Sequence, residues 1–187
     1  MAGDTRAKGR SGSSDLLRDP RVEAVVVPED GVYPNNGVLP LLLYRRALNA
    51  ELPDLAARVR KLYRENAWGR SWVNGIYDFH HYHSTAHEVL AVCGGRATVQ
   101  FGGERGVTQE VSAGDVIVIP AGVAHKNLGS SADFTVVGGY PPGQDYDMQY
   151  GREGERPQAD ENIARVAHPH SDPLYGPQGP LPAHWNA

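Results

Sequence analysis

The spacing of apolar residues changes character along this chain. From Leu52 onward, Leu52, Leu55, Ala56, Val59, Leu62 and Tyr63 recur at intervals of three and four. That periodicity predicts an amphipathic helix over roughly 51–66, with Arg58, Arg60 and Arg64 among its polar positions. After Gly69 the period falls to two. "SWVNGIYDFHHYH", "EVLAVC", "ATVQFGG", "TQEVSAGDVIVIPAG" and "DFTVVGGY" are short β-rich runs punctuated by glycine. "GGERG", Gly102 to Gly106, reads as a hairpin connection. Short strands without helical patterns between them predict an antiparallel sandwich or barrel, an all-β fold.

The flanks differ from this centre. Residues 1–20 are Gly, Ser and charge with little to bury, which predicts a disordered arm. Over 21–69, a strand at Val22–Val27 precedes the turn-forming "PEDG", and the helix follows. Between them, "YPNNGVLPLLLYRRAL" has an apolar run too short and Pro-interrupted to assign, expected to lie along the core. The barrel core is placed at 70–142. From 143 to 187 six prolines lie between Pro157 and Pro182, and only "ADENIARV" suggests a helical turn. Leu174, Tyr175, Leu181 and Trp185 are too apolar for a free tail, so this segment is expected to wrap irregularly over the barrel.

Composition narrows the class of function. Net charge is −4, so there is no basic footprint for nucleic acid or an anionic membrane surface. One cysteine, Cys93, rules out an intrachain disulfide and agrees with a reducing, cytoplasmic setting. No apolar run approaches the roughly 18 residues that span a bilayer.

The chemistry concentrates in "HHYHSTAHE", residues 80–88, which holds four of the eight histidines. On a strand, side chains two apart point the same way, so Tyr77, Phe79, His81 and His83 share one face. His80 and Tyr82 share the other, expected to be outer, face. If the first face is inward, two imidazoles project into the barrel, and Glu88 opens the next strand beside Leu90 and Val92. Two imidazoles and a carboxylate form a facial set that leaves metal positions open. His125, after the Pro120-Ala121-Gly122 turn, is a fourth candidate, although sequence separation alone does not show that it reaches the others. His87 precedes Glu88 and so faces away; His168, His170 and His184 lack ligand spacing and are expected at the surface. Cys93 is expected to point outward.

Gly75, His81, His83, Glu88 and Gly95 match the first cupin motif, G-x5-H-x-H-x4-E-x6-G, at every spacing. Gly114, Pro120, Gly122 and His125 match the second, G-x5-P-x-G-x2-H, with Gly129 where an asparagine usually follows. The chain thus resembles the cupin superfamily, and its flanking helix and Pro-rich tail resemble the bacterial single-domain cupins of the YjlB-like group. The resemblance implies a double-stranded β-helix, or jelly-roll barrel, and a homodimer. It also implies one divalent metal ion per chain, held by His81, His83, Glu88 and His125. These ligand types suit Fe2+, Mn2+, Ni2+, Zn2+ and Cu2+ alike, with Fe2+ favoured by the lead reaction.

That lead reaction is a non-heme dioxygenase acting on a small organic substrate, with Glu88 also serving as a catalytic base. Tyr77 and Phe79 are the expected substrate wall and Asn127 a polar contact, with Trp72 and Tyr140 closing the mouth. A non-oxidative isomerase or lyase, and a non-catalytic binding module, are the alternatives. The fold does not choose among them.

Overall fold

The computed structural model describes residues 15–186. Nine strands and three helices follow in the order β1 Arg21–Val27, β2 Asn36–Arg45, α1 Leu55–Glu65, β3 Gly69–Asn74, β4 Glu88–Gly94, β5 Arg96–Phe101, β6 Val107–Ser112, β7 Val116–Ile119, β8 His125–Ser130, β9 Thr135–Tyr140, α2 Gln158–Arg165 and α3 Pro180–Trp185. They form a six-stranded sheet, β1-β2-β7-β4-β9-β3, facing a three-stranded sheet, β6-β5-β8, with antiparallel pairing throughout. This is the all-β, antiparallel architecture that the sequence pattern predicts, arranged as the jelly roll that the cupin resemblance implies.

Near-continuous apolar runs explain the larger sheet, because it is covered on both sides. Along β4, Leu90 and Val92 point between the sheets, while Val89 and Ala91 point the other way. β2 divides Leu41 and Leu43 from Leu42 and Tyr44 in the same manner, and β7 divides Ile117 and Ile119 from Val116 and Val118. The outward set packs on Leu55, Val59, Leu62 and Tyr63 of α1, and on Leu174, Leu181 and Trp185 of the tail. Burying a side chain of this size stabilises by about 1.5–3 kcal/mol, so helix and tail are part of the core. The unassigned run "GVLPLLLYR" is therefore an interior strand: β2 pairs with both β1 and β7, and barrel residues begin well before position 70.

Two further differences concern the flanks. Residues 15–20 are ordered, contrary to the expectation of a disordered arm. Leu16 is buried, Leu17 bridges to Leu48, and the Arg18 N–H donates to the Ala47 carbonyl. A single leucine pair supplies the apolar area that composition averaged over twenty residues conceals. Residues 1–14 lie outside the described residues. In the tail, buried Asp172 accepts from the backbone of Leu174, Tyr175 and Leu181 and from the Tyr44 hydroxyl, which ties the irregular segment to β2. Among the described residues no helix is long and apolar enough to cross a membrane.

Candidate metal and substrate site

Glu88 sits on the inward face of β4, the first residue of that strand, opposite Ile119 of β7. Pleating delivers its carboxylate to the end of the space between the sheets. His125 begins β8 after the Pro120-Ala121-Gly122 turn. Gly122 has φ +93°, and a Cβ there would collide with the Asn35 carbonyl, so the turn requires glycine. The Gly122 N–H donates to the His83 carbonyl at 2.8 Å, and His81 and His125 exchange backbone hydrogen bonds at 3.3 and 3.0 Å. One turn therefore positions three of the four residues.

The four side chains do come together. Glu88 Oε2 lies 3.5 Å from His83 Nε2 and 3.3 Å from His125 Nε2. The His81 ring lies 4.2 Å from that of His125 and 5.8 Å from that of His83, centroid to centroid. All four are buried. Each imidazole spends Nδ1–H on a backbone carbonyl: His81 on Phe79, His125 on Val123, and His83 on Asp147. Those acceptors fix the tautomer that leaves the Nε2 lone pair free. As a result, His83 Nε2 and Glu88 Oε2 are buried with no hydrogen-bond partner.

Electron pairs facing each other in a dry site require a cation or a proton between them. Burial opposes charge on His83, but the Glu88 carboxylate outweighs it and raises the imidazole pKa above the ordinary value. Burial likewise opposes ionised Glu88, yet His83 and His125 hold its pKa well below the carboxylate range. His81 is lowered to about 3, by burial first and then by His125. A proton on His83 thus satisfies the cluster, and a divalent cation can replace it. Among the described residues no group of three or more such side chains stands at finished metal-holding geometry. The donor set, three free Nε2 positions and one carboxylate, fits a divalent transition metal.

A cavity of about 290 Å³ opens on this cluster. Trp72, Ile76, Tyr77, Leu90, Tyr146 and Met148 supply most of its remaining wall. Tyr140 also lines it, donating to Glu88 Oε1 at 3.1 Å and accepting from Trp72 Nε1–H at 3.1 Å. Burial, then Glu88, pushes its pKa far upward, so this phenol remains a donor.

Several expected positions change. The stretch 75–87 is not a regular strand, and strict alternation fails in it. Phe79 lies outside the cavity lining, stacked at 4.8 Å on Tyr77, and both rings are about half-exposed. Asn127 also lies outside: its side chain turns to the Gly129 N–H and Ser130 Oγ. His80 and Tyr82, expected on an open face, are buried because the 28–35 loop and the tail cover that side. His80 packs on Tyr33, and the Tyr82 hydroxyl donates to Glu155. His87 does face away; its Nδ1 accepts the Ala121 N–H at 2.9 Å, bracing the turn before His125. Cys93 is half-buried toward the helix side, its thiol pushed up to about 12 by burial.

The sequence pattern missed Asp147. Its carboxylate accepts from Ser84 Oγ, the backbone N–H groups of Ser84 and Thr85, and Gln149 Nε2, while its carbonyl holds His83. No periodicity marks it; it lies in an irregular run, "QDYDMQY".

Comparison with known proteins gives the family. Residues 74–140 match the cupin family model. Over 158 residues the chain is 44% identical to the uncharacterized protein YjlB of Bacillus subtilis (strain 168), covering 84% of this chain and 93% of that protein. The chain is a cupin of the YjlB-like group. Among solved structures this cupin is similar to acireductone dioxygenase from Bacillus anthracis with a cadmium ion in its active center (15% identity, TM-score 0.36, 51% of this chain and 69% of that one). It is also similar to the dTDP-6-deoxy-D-glucose-3,5-epimerase RmlC from Legionella pneumophila (14% identity, TM-score 0.38, 68% of this chain and 74% of that one). At such distances neither enzyme's chemistry transfers.

Proposed function

We propose that this cupin binds one divalent metal ion through His81, His83, Glu88 and His125, and that it is an enzyme acting on a small organic molecule, with O2-dependent oxidation as the lead reaction. The observation that supports this reading is the meeting of His83 Nε2 and Glu88 Oε2, both buried and unpartnered, beside a small cavity. A bound metal supplies a Lewis acid and, where it is iron, redox capacity toward O2. Fe2+ is favoured on that account; Mn2+, Ni2+, Zn2+ and Cu2+ suit the same donors.

The chain's own groups divide the remaining work. The carbonyls of Phe79, Val123 and Asp147 orient the imidazoles, and the apolar wall excludes water from the reacting end. Glu88 keeps Oε2 toward the imidazoles and Oε1 on Tyr140, which holds that phenol at the polar end. Tyr140 also favours a second reading, non-oxidative isomerisation or elimination, because a phenol held protonated there can stabilise a developing enolate by hydrogen bonding when its O–H turns from Glu88 to the substrate.

Elemental analysis of protein purified without chelator is expected to find one metal per chain in the wild type and none in Glu88→Ala. O2 uptake across enols, phenols, thiols and keto acids by the iron-loaded protein supports the lead reaction; turnover that persists under anaerobiosis with zinc supports the second. Because protons compete for the same nitrogens, retention is expected to weaken below about pH 6.5. Absence of metal after supplementation, or retention unchanged to about pH 4, would overturn histidine ligation.

A further inference from the structure

The cavity's charge distribution constrains what can enter it. Fourteen residues line it and none is Lys or Arg. Its ionisable groups belong to the Glu88–imidazole cluster, apart from phenols. Tyr140 and Trp72 spend their polar atoms on each other and on Glu88, which leaves their ring surfaces to the cavity. Asn74 turns its Oδ1 back to the Gly75 N–H. Tyr77 and Tyr146 add two further aromatic surfaces at the opening, with Tyr146 stacked at 4.6 Å on Tyr140. At about 290 Å³ the space is at the small end of ligand pockets, which run from roughly 300 to 1,000 Å³. It has room for one substituted ring, not for a nucleotide.

Building on the metal site proposed above, we infer that the substrate is a small aromatic ring compound without carboxylate or phosphate, its hydroxyl-bearing edge directed at the Glu88–imidazole cluster and its apolar edge at Trp72, Tyr77 and Tyr146. A ring gains contact with the aromatic wall. A second anionic group, remote from the cluster, is desolvated with no cation to balance it, which binding has to overcome.

Calorimetric titration of the Zn2+-loaded protein tests this with three probes that need not turn over. Methylcatechol and protocatechuate share a ring and paired hydroxyls and differ in a methyl or carboxylate at one edge; acetohydroxamic acid chelates zinc without a ring. Methylcatechol is expected to bind at least about tenfold tighter than either of the others, given an unbalanced carboxylate on one and no ring on the other. Val73→Arg, a change at a half-exposed position of the lining, is expected to narrow the gap between the two catechols by restoring protocatechuate. Zinc bound with equal affinity for the two catechols, or for acetohydroxamic acid and methylcatechol, overturns the substrate class alone. Failure of zinc to bind overturns the metal reading, and with it this inference.

Discussion

Strand β4 and the segment 75–87 before it each contribute to the candidate site, yet they are built on different principles. In β4 the backbone ladder does the positioning. Glu88, Leu90 and Val92 face inward and Val89 and Ala91 outward because the strand pairs with β7 and β9 on both sides. In 75–87 the chain has only isolated bridges, His81 to His125 and Tyr82 to Gln149, and borrows the rest of its order. Tyr77 accepts from the Asn127 backbone, His83 from that of Gly122, and Ser84 and Thr85 are clasped by Asp147. The carboxylate of the site is thus placed by the barrel, and two imidazoles are placed by the turn and the tail. A regular strand determines its own side-chain directions; an irregular one takes them from its partners.

Substitutions in the two regions should separate metal binding from folding. Glu88→Gln removes the carboxylate charge but keeps its shape, and β4's ladder does not depend on it. The expected result is the largest in metal affinity, a loss of more than about 100-fold, since even indirect disturbance of ligands costs 10–100-fold. Circular dichroism should show the fold retained. Asp147→Ala should instead reduce both properties. It strands donors on Ser84, Thr85 and Gln149, costing about 2 kcal/mol in chemical denaturation. Loosening of the carbonyl that holds His83 should also weaken metal binding by roughly 10-fold. Equal stability losses in the two variants would break the distinction between a self-ordered strand and a clasped segment.

The same distinction explains what was legible in the sequence. The inward face of β4, the Gly102–Gly106 hairpin and helix α1 follow from local period and turn chemistry, and they are where the pattern places them. His81, His83, Glu88 and His125 were singled out by motif spacing, and they converge. Tyr140 was legible only as a residue at the mouth; its bond to Glu88 depends on β9 lying next to β4. Phe79, His80 and Tyr82 depart from alternation because 75–87 has no ladder, whereas Asn127 lies in the β8 ladder and turns its side chain to Gly129 and Ser130 beside a register shift in the β5 pairing. β2 has no clear local signature because Pro40 interrupts it, although Leu41, Leu42, Leu43 and Tyr44 are fully buried. Asp147 and the tail contacts had no local signature, since only tertiary pairing gives them partners.

A pH series on metal-free protein examines the tail side of β4 through His87. Burial, and secondarily His168, lowers its pKa to about 3, whereas the unfolded chain titrates near 6.5. The unfolded state therefore takes up this proton first as pH falls. The stability that neutral His87 contributes is complete above about pH 6.5 and is lost progressively toward pH 3. By pH 5 that loss is about 2 kcal/mol. His87→Asn retains an acceptor for the Ala121 N–H but cannot be protonated, so its stability should decline less between pH 7.5 and about pH 5 than the wild type's. His83 has the opposite sign: its raised pKa gives stability present below about 6.5 and lost as pH rises through the raised value, which is why the variant is compared with the wild type rather than read alone. Parallel acid limbs would show that His87 is not held neutral.

The smallest expected effect is also a sharp test of the irregular segment. Were 75–87 a pleated strand, Phe79 would stand inside beside His81, and Phe79→Ala would cost about 3–5 kcal/mol, as truncation of a core aromatic does. Half-exposed and touching chiefly Tyr77, it should cost only about 1 kcal/mol, the worth of a stacked pair. Metal affinity should be unchanged, because Phe79 meets His81 ring-edge to ring while its backbone carbonyl, which the substitution preserves, orients that imidazole. Thermal unfolding beside a metal titration measures both, and a core-sized loss would restore the pleated description of the segment.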